Sequence, residues 1–167
     1  MNLYVLRHGL AVDLNARRLA KDSDRPLTLE GKRKLRQIAK AMQALDLSFD
    51  LILSSPYLRA RQTAEIVAEA FSARKRLDFS ENLIPGGSAK GLIKCLNDLD
   101  PMPENVLLVG HEPDLSQFIS LWVTGSADSS FVLKKGGLCK LTAESLKPGR
   151  CAKLEWLLTP KQMGLMG

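Results

Sequence analysis

Three short aliphatic runs constrain this chain more than anything else in it. They are Leu3 to Leu6, Asp50-Leu51-Ile52-Leu53-Ser54, and Val106-Leu107-Leu108-Val109. None shows the alternation of a half-exposed strand, and each is bounded by polar residues, as a strand covered on both faces would be. Between the runs the apolar period changes. After a polar loop from Asp13 to Pro26, Thr28 can cap a helix to about Leu45, with Leu35, Ile38, Ala39, Met42 and Leu45 on one face. Ser55-Pro56 fits an N-cap followed by proline at the first helical position, opening a helix to Phe71 that buries Ile66, Val67 and Ala70. Pro85-Gly86-Gly87 reads as a loop, and Ser88 as the cap of a helix carrying Leu92, Ile93, Leu96 and Leu99. Gly110-His111-Glu112-Pro113 ends the third run and opens a helix with Leu115, Phe118, Ile119 and Trp122 on one side. Leu77 to Leu83 fits neither period. Beyond Phe131 the pattern turns to strands, with Leu138 to Leu141 and Ala152 to Leu158 paired across a Pro148-Gly149 turn. The order predicts a single α/β domain over residues 1–167. Its three layers are a mostly parallel central sheet, helices on both faces and antiparallel C-terminal strands.

Composition limits the partners. Aromatic residues make up 5% of the 167, so aliphatic side chains must fill the core. No apolar stretch approaches the ~20 residues of a membrane-spanning helix. The run Met1 to Leu6 has no basic head or cleavage site, so a cytoplasmic address and no membrane partner are expected. Cys95, Cys139 and Cys151 form no CxxC pair, which speaks against a zinc site or disulfide framework and predicts buried free thiols. The net charge of +6, concentrated between Arg17 and Lys40 and at Arg74-Lys75-Arg76, suits anionic partners but reads first as solvated helix surface. Pro85-Gly86-Gly87 and Lys134-Lys135-Gly136-Gly137 lack the spacing of a phosphate-binding or dinucleotide loop and read as turns.

The chemistry gathers at the strand ends, where α/β sheets bind ligands. The three runs lead into Arg7-His8-Gly9, into Ser54-Ser55-Pro56 with Arg59 beyond it, and into Gly110-His111. The only two histidines of the chain belong to this set. Two histidines and two arginines suit a phosphoryl group. Guanidinium is planar, permanently charged and bidentate toward phosphate oxygens. A neutral imidazole can attack phosphorus, and nearby arginines favour the neutral form while repelling a divalent metal. Gln62 and Thr63 share a helix face with Arg59, whereas Arg61 points away.

The strand ending Leu6-Arg7-His8-Gly9 resembles the signature of the histidine phosphatase superfamily, which has the phosphoglycerate-mutase-like fold. The stretch Ser54-Ser55-Pro56-Tyr57-Leu58-Arg59-Ala60-Arg61-Gln62-Thr63-Ala64 resembles its second arginine motif, and Val109-Gly110-His111 its second-histidine motif. The short length and Arg25-Pro26-Leu27-Thr28 are most similar to the SixA-type phosphohistidine phosphatase branch. The resemblance implies a nucleophilic His8 that is phosphorylated in turnover, with Arg7, Arg59 and His111 as phosphate-binding residues. It also implies no metal and no organic cofactor.

Two departures bear on substrate. Many phosphomonoesterases of the superfamily carry an insertion with a glutamate acid, and the span from Phe71 to Val106 has little room for one. Glu112 follows the second histidine where another branch has its proton donor. It reads equally as a general acid or as a carboxylate at a helix start. A site without a dedicated acid suits the easily expelled imidazole of phosphohistidine. A short chain with little covering the pocket suits a protein substrate of the phosphorelay or phosphotransferase type. The alternatives are a phosphatase of small phosphomonoesters or nucleotides with Glu112 or Glu81 as acid, and a non-catalytic phospho-ligand or nucleic-acid binding module. No nucleic-acid partner is expected, because exposed aromatic residues for base stacking are lacking.

Overall fold

In the computed structural model, which describes residues 1–15, 21–128 and 130–166, the three aliphatic runs are neighbouring strands of one six-stranded sheet. The chain runs β1 (Asn2–Arg7), α1 (Leu29–Ala44), β2 (Leu51–Ser54), α2 (Leu58–Ala70), β3 (Leu77–Phe79), α3 (Ala89–Asn97), β4 (Asn105–Gly110), α4 (Asp114–Thr124), β5 (Leu138–Thr142), β6 (Lys153–Leu158) and α5 (Pro160–Met163). The sheet order is β3-β2-β4-β1-β5-β6. The first four strands in that order pair in parallel, and β5 and β6 continue antiparallel. The expected α/β class and C-terminal hairpin are both present, with Gly149 at φ +82° in the turn.

The strands lack alternation because each serves two cores. Leu3, Val5, Val106 and Leu108 pack with Leu92 and Leu96 of α3 and with Leu115 and Trp122 of α4. Tyr4, Leu6, Leu107 and Val109 pack with Leu35 and Met42 of α1 and with Ala64 and Val67 of α2. Each fully buried leucine contributes roughly 1.5–3 kcal/mol. Helices therefore cover both faces. Of the cysteines, only Cys139, in central β5, is buried, and burial pushes its thiol up to about 12. Cys95 and Cys151 lie at the margin of the core and are half-exposed, which corrects the expectation of three buried thiols.

The helix caps follow the sequence in two cases of three. Thr28 Oγ1 accepts the Gly31 amide at 2.9 Å, and Ser88 Oγ accepts that of Gly91 at 3.0 Å. The expected start of α2 at Ser55-Pro56 is corrected: the helix begins at Leu58, with Tyr57 at its cap. Ser55 is held in the sheet instead, its amide donating to the Val109 carbonyl at 2.9 Å. The unassigned stretch Leu77 to Leu83 divides into β3 and a 3-10 turn at Glu81–Leu83. Of the loop from Asp13 to Pro26, the part holding Arg17 lies outside the described residues. Its later part forms a 3-10 turn at Asp22–Asp24. Among the described residues no helix is long and apolar enough to cross a membrane.

Candidate active site

Register brings the two histidines together. In the β1–β4 ladder Arg7 lies opposite Gly110, so His8 and His111 occupy the next positions on adjacent strands. The ladder continues past the strand ends, since the His8 amide donates to the Gly110 carbonyl at 3.1 Å. The imidazole centroids stand 5.1 Å apart, close to the ~4.8 Å spacing of neighbouring strands. His8, Arg59 and His111 are buried, with 6%, 5% and 2% of their surfaces exposed.

The tautomer of His8 is fixed by its neighbour. Its Nδ1 lies 2.7 Å from the Gly9 carbonyl oxygen, which can only accept, so Nδ1 carries the proton and Nε2 the lone pair. Arg59 Nε donates to that lone pair at 3.2 Å. Burial lowers the pKa of His8 to about 3. The Gly9 hydrogen bond opposes this, while His111, Arg59 and Arg7 reinforce it. His111 is likewise lowered to about 3, first by burial and then by Arg59. Both rings are therefore neutral in the free protein at neutral pH.

Arg59 stands in the first turn of α2, and all three of its nitrogens are engaged. Besides Nε on His8, Nη1 donates to the Asp22 carbonyl at 2.8 Å and Nη2 to Asp22 Oδ2 at 2.9 Å. Arg25 donates to the other carboxylate oxygen at 2.9 Å. Partial burial raises the Asp22 carboxyl, but the hydrogen bonds from Arg25 and Arg59 outweigh it and hold the group below its usual range. Thr63 Oγ1 accepts the Gly9 amide at 3.1 Å and donates to the Arg59 carbonyl at 2.7 Å, tying the β1 turn to α2. A Cβ on Gly9 would lie 2.6 Å from Leu35 Cδ1, so that side chain would have to shift to admit one.

Arg7 and His111 retain free capacity. Arg7 Nη1 donates to the Leu133 carbonyl at 2.9 Å, but its Nε is buried without a partner. His111 Nε2 lies 2.9 Å from Ser55 Oγ, and its Nδ1 is buried and unpartnered. Among the described residues only Trp122 Nε1 shares this condition. Buried polar atoms ordinarily find partners. Two such atoms beside two arginines suit the oxygens of a phosphoryl group. Among the described residues no cluster of three or more His, Cys, Asp or Glu side chains is placed to hold a metal ion.

Of the other sequence candidates only Glu112 stands near the site, close enough for its charge to act on Arg7. Arg61 turns away to Glu65 at 2.9 Å. Glu81 is exposed on its 3-10 turn. Glu112 accepts from the Ser116 amide at 3.1 Å and from the Ser116 hydroxyl, as a carboxylate at the start of α4 does. Asp22, Ser55 and Tyr57, whose ring meets His111 edge-on at 5.4 Å, were not singled out from sequence as site residues. The pocket is also more covered than expected, since the Asp22 turn lies over Arg59.

A model of the histidine phosphatase superfamily (branch 1) matches residues 3–84. An uncharacterised protein of Picosynechococcus sp. is 39% identical over 142 residues, covering 84% of both chains. A phosphohistidine phosphatase SixA homolog of Haemophilus influenzae is 31% identical over 129 residues, covering 72% of this chain and 76% of that protein. Among solved structures, the protein histidine phosphatase SixA complexed with tungstate superposes with a TM-score of 0.83 at 24% identity, covering 96% of this chain and 98% of the other. That likeness extends the shared fold over nearly the whole chain. The chain belongs to the histidine phosphatase superfamily, in its SixA-type branch.

Proposed function

We propose that this protein is a cytoplasmic phosphohistidine phosphatase that takes the phosphoryl group onto His8 Nε2 and releases it to water. The observation that carries this reading is the His8 tautomer, with Nδ1–H on the Gly9 carbonyl and the lone pair at Nε2 beside Arg59 and His111. A phosphoryl group entering here draws the Arg59 fork from Asp22 to its own oxygens. Arg7 Nε and His111 Nδ1 supply further contacts. Nε2 attacks phosphorus, the P–N bond of the substrate breaks, and its imidazole departs with one proton from solvent. The His8 Nδ1 proton stays on the ring and is donated to the Gly9 carbonyl, so the phosphorylated ring becomes cationic and is itself a good leaving group. Water then attacks phosphorus, the electron pair of the breaking bond returns to Nε2, and the proton lost by water leaves with inorganic phosphate or solvent. Neither step needs a metal.

The engagement of Glu112 with Ser116 favours phosphohistidine over alkyl phosphates, because the carboxylate beside His111 is already committed to two hydrogen bonds and an alkoxide needs a proton donor that imidazole does not. The test is turnover of phosphohistidine peptides and small phosphomonoesters side by side, with an alkaline quench. The expected result is a phosphoenzyme stable in alkali and labile in acid, absent in His8→Ala, and turnover unchanged by a chelator. Phosphate recovered on serine or aspartate, or a preference for alkyl phosphates, would overturn the proposal.

A further inference from the structure

We infer that a groove beside the catalytic turn is the docking surface for an acidic, apolar-faced segment of the phosphohistidine-bearing substrate protein, an inference that rests on the function proposed above. The groove has a volume of about 490 Å³, and its lining includes Leu10, Ile38 and Pro160. Lys34, Lys134, Lys135 and Lys161 also line it, and all four are exposed. Only Lys34 has a carboxylate partner among the described residues, Glu30 on its own helix at 2.6 Å. Exposed apolar side chains continue the lining segments along the chain. Val132 is 70% exposed two residues before Lys134, and Leu165 is 83% exposed directly after Gly164. Aliphatic surface ringed by ammonium groups, three of them without a carboxylate partner among the described residues, is complementary to carboxylates alternating with one or two aliphatic side chains. It is a poor seat for nucleic acid, since no aromatic ring lines it for bases to stack on.

The groove is built onto the reacting centre. Leu10 lies two residues beyond His8, so their Cα atoms are within about 7 Å. Lys134 and Lys135 sit between two anchors of the catalytic turn. Leu133 accepts from Arg7, and the Gly136 amide donates to the carbonyls of Arg7 and His8 at 3.0 and 3.2 Å. The quartet of Arg7, His8, Arg59 and His111 recognises a phosphoryl group and carries little information about the protein that bears it. The adjoining groove supplies that information.

The experiment uses the full chain and three probes. These are a synthetic phosphohistidine peptide flanked by Glu and Leu, the same peptide flanked by Lys and Ser, and free phosphohistidine. Wild type is expected to prefer the Glu/Leu peptide about tenfold in kcat/KM, the equivalent of ~1.4 kcal/mol from several surface ion pairs. In Lys134→Glu/Lys135→Glu, and separately in Lys161→Glu, the preference should collapse through KM while free phosphohistidine turns over as in wild type. Lys134→Ala/Lys135→Ala should fall between. Unchanged preference in these variants, or no preference in wild type while phosphohistidine is still cleaved, overturns the docking surface alone. Equal loss on free phosphohistidine overturns it too, because the lysines would then belong to the chemical site. Insensitivity to replacing the peptide leucines by serine would mark a general polyanion surface and reject the mixed occupant. A wild type that cleaves small phosphomonoesters and no phosphohistidine at all removes the proposed function and this inference with it.

Discussion

In the unliganded site Arg59 holds one of its own chain's anions, and an incoming phosphoryl group must compete with it. Asp22 carries the negative charge in that contest. Its side chain is 45% exposed, so solvent screens the pair to about 1 kcal/mol. Asp22→Asn should therefore tighten inorganic phosphate about fivefold, read as a lower inhibition constant in steady-state assays. Weaker phosphate binding in that variant would show that Asp22 supports the site rather than occupying it. Glu112→Gln should slow phosphohistidine turnover by less than about tenfold, well short of the ~10²–10⁴-fold that general acid catalysis supplies. The amide oxygen can still accept from Ser116, and a loss as complete as that of His8→Ala would reinstate Glu112 as a proton donor. The four residues of the candidate site, Arg7, His8, Arg59 and His111, were findable in the sequence because each stands just beyond an uninterrupted apolar run. Asp22 was not. It lies in a polar loop that also holds Asp13 and Asp24, with no period to say which carboxylate turns inward.

Among the elements, the segment leading into β5 has the most leverage on the site. Gly136 sits at φ +78°, and its amide bridges the carbonyls of Arg7 and His8. A Cβ there would lie 2.8 Å from Ile38 Cδ1. Gly136→Ala should cost about 1–2 kcal/mol from the left-handed backbone alone. The displaced amide should also lower kcat. Thermal unfolding and single-turnover rates would read the two effects, and a variant that matches wild type in both would detach this loop from the catalytic turn. The sequence read Lys134-Lys135-Gly136-Gly137 as a plain turn, which is right locally and silent about its bonds to β1. Thr28 and Ser88 were legible as caps because a hydroxyl followed three residues later by a free amide is a local signal. Ser55 offered the same signal and followed a different course. Its hydroxyl is engaged by His111, a partner 56 residues away that no local pattern reveals. The three-residue β3 was illegible for a simpler reason, being too short to display a period.

For the molecule as a whole, burying two neutral histidines links stability to pH. Their folded pKa values are about 3, below the ordinary 6.5. Between those values the unfolded chain binds more protons, so stability is full above about pH 6.5 and falls as pH drops toward 3. The slope is about 1.4 kcal/mol per pH unit for each histidine within that window, as an order of magnitude. Urea unfolding at pH 7.5, 6.5 and 5.5 should show the decline, and His111→Asn should roughly halve it. A flat profile would mean that the two rings titrate in the fold as they do in the unfolded chain. The gap between the two imidazoles has a further consequence. It is one rung of the central ladder, set by backbone hydrogen bonds between β1 and β4 rather than by side-chain packing. Fraying at β3 or β6, the sheet's outer margins, leaves that rung untouched. The spacing of the two imidazoles should therefore survive opening at those margins and be lost only when the central strands separate.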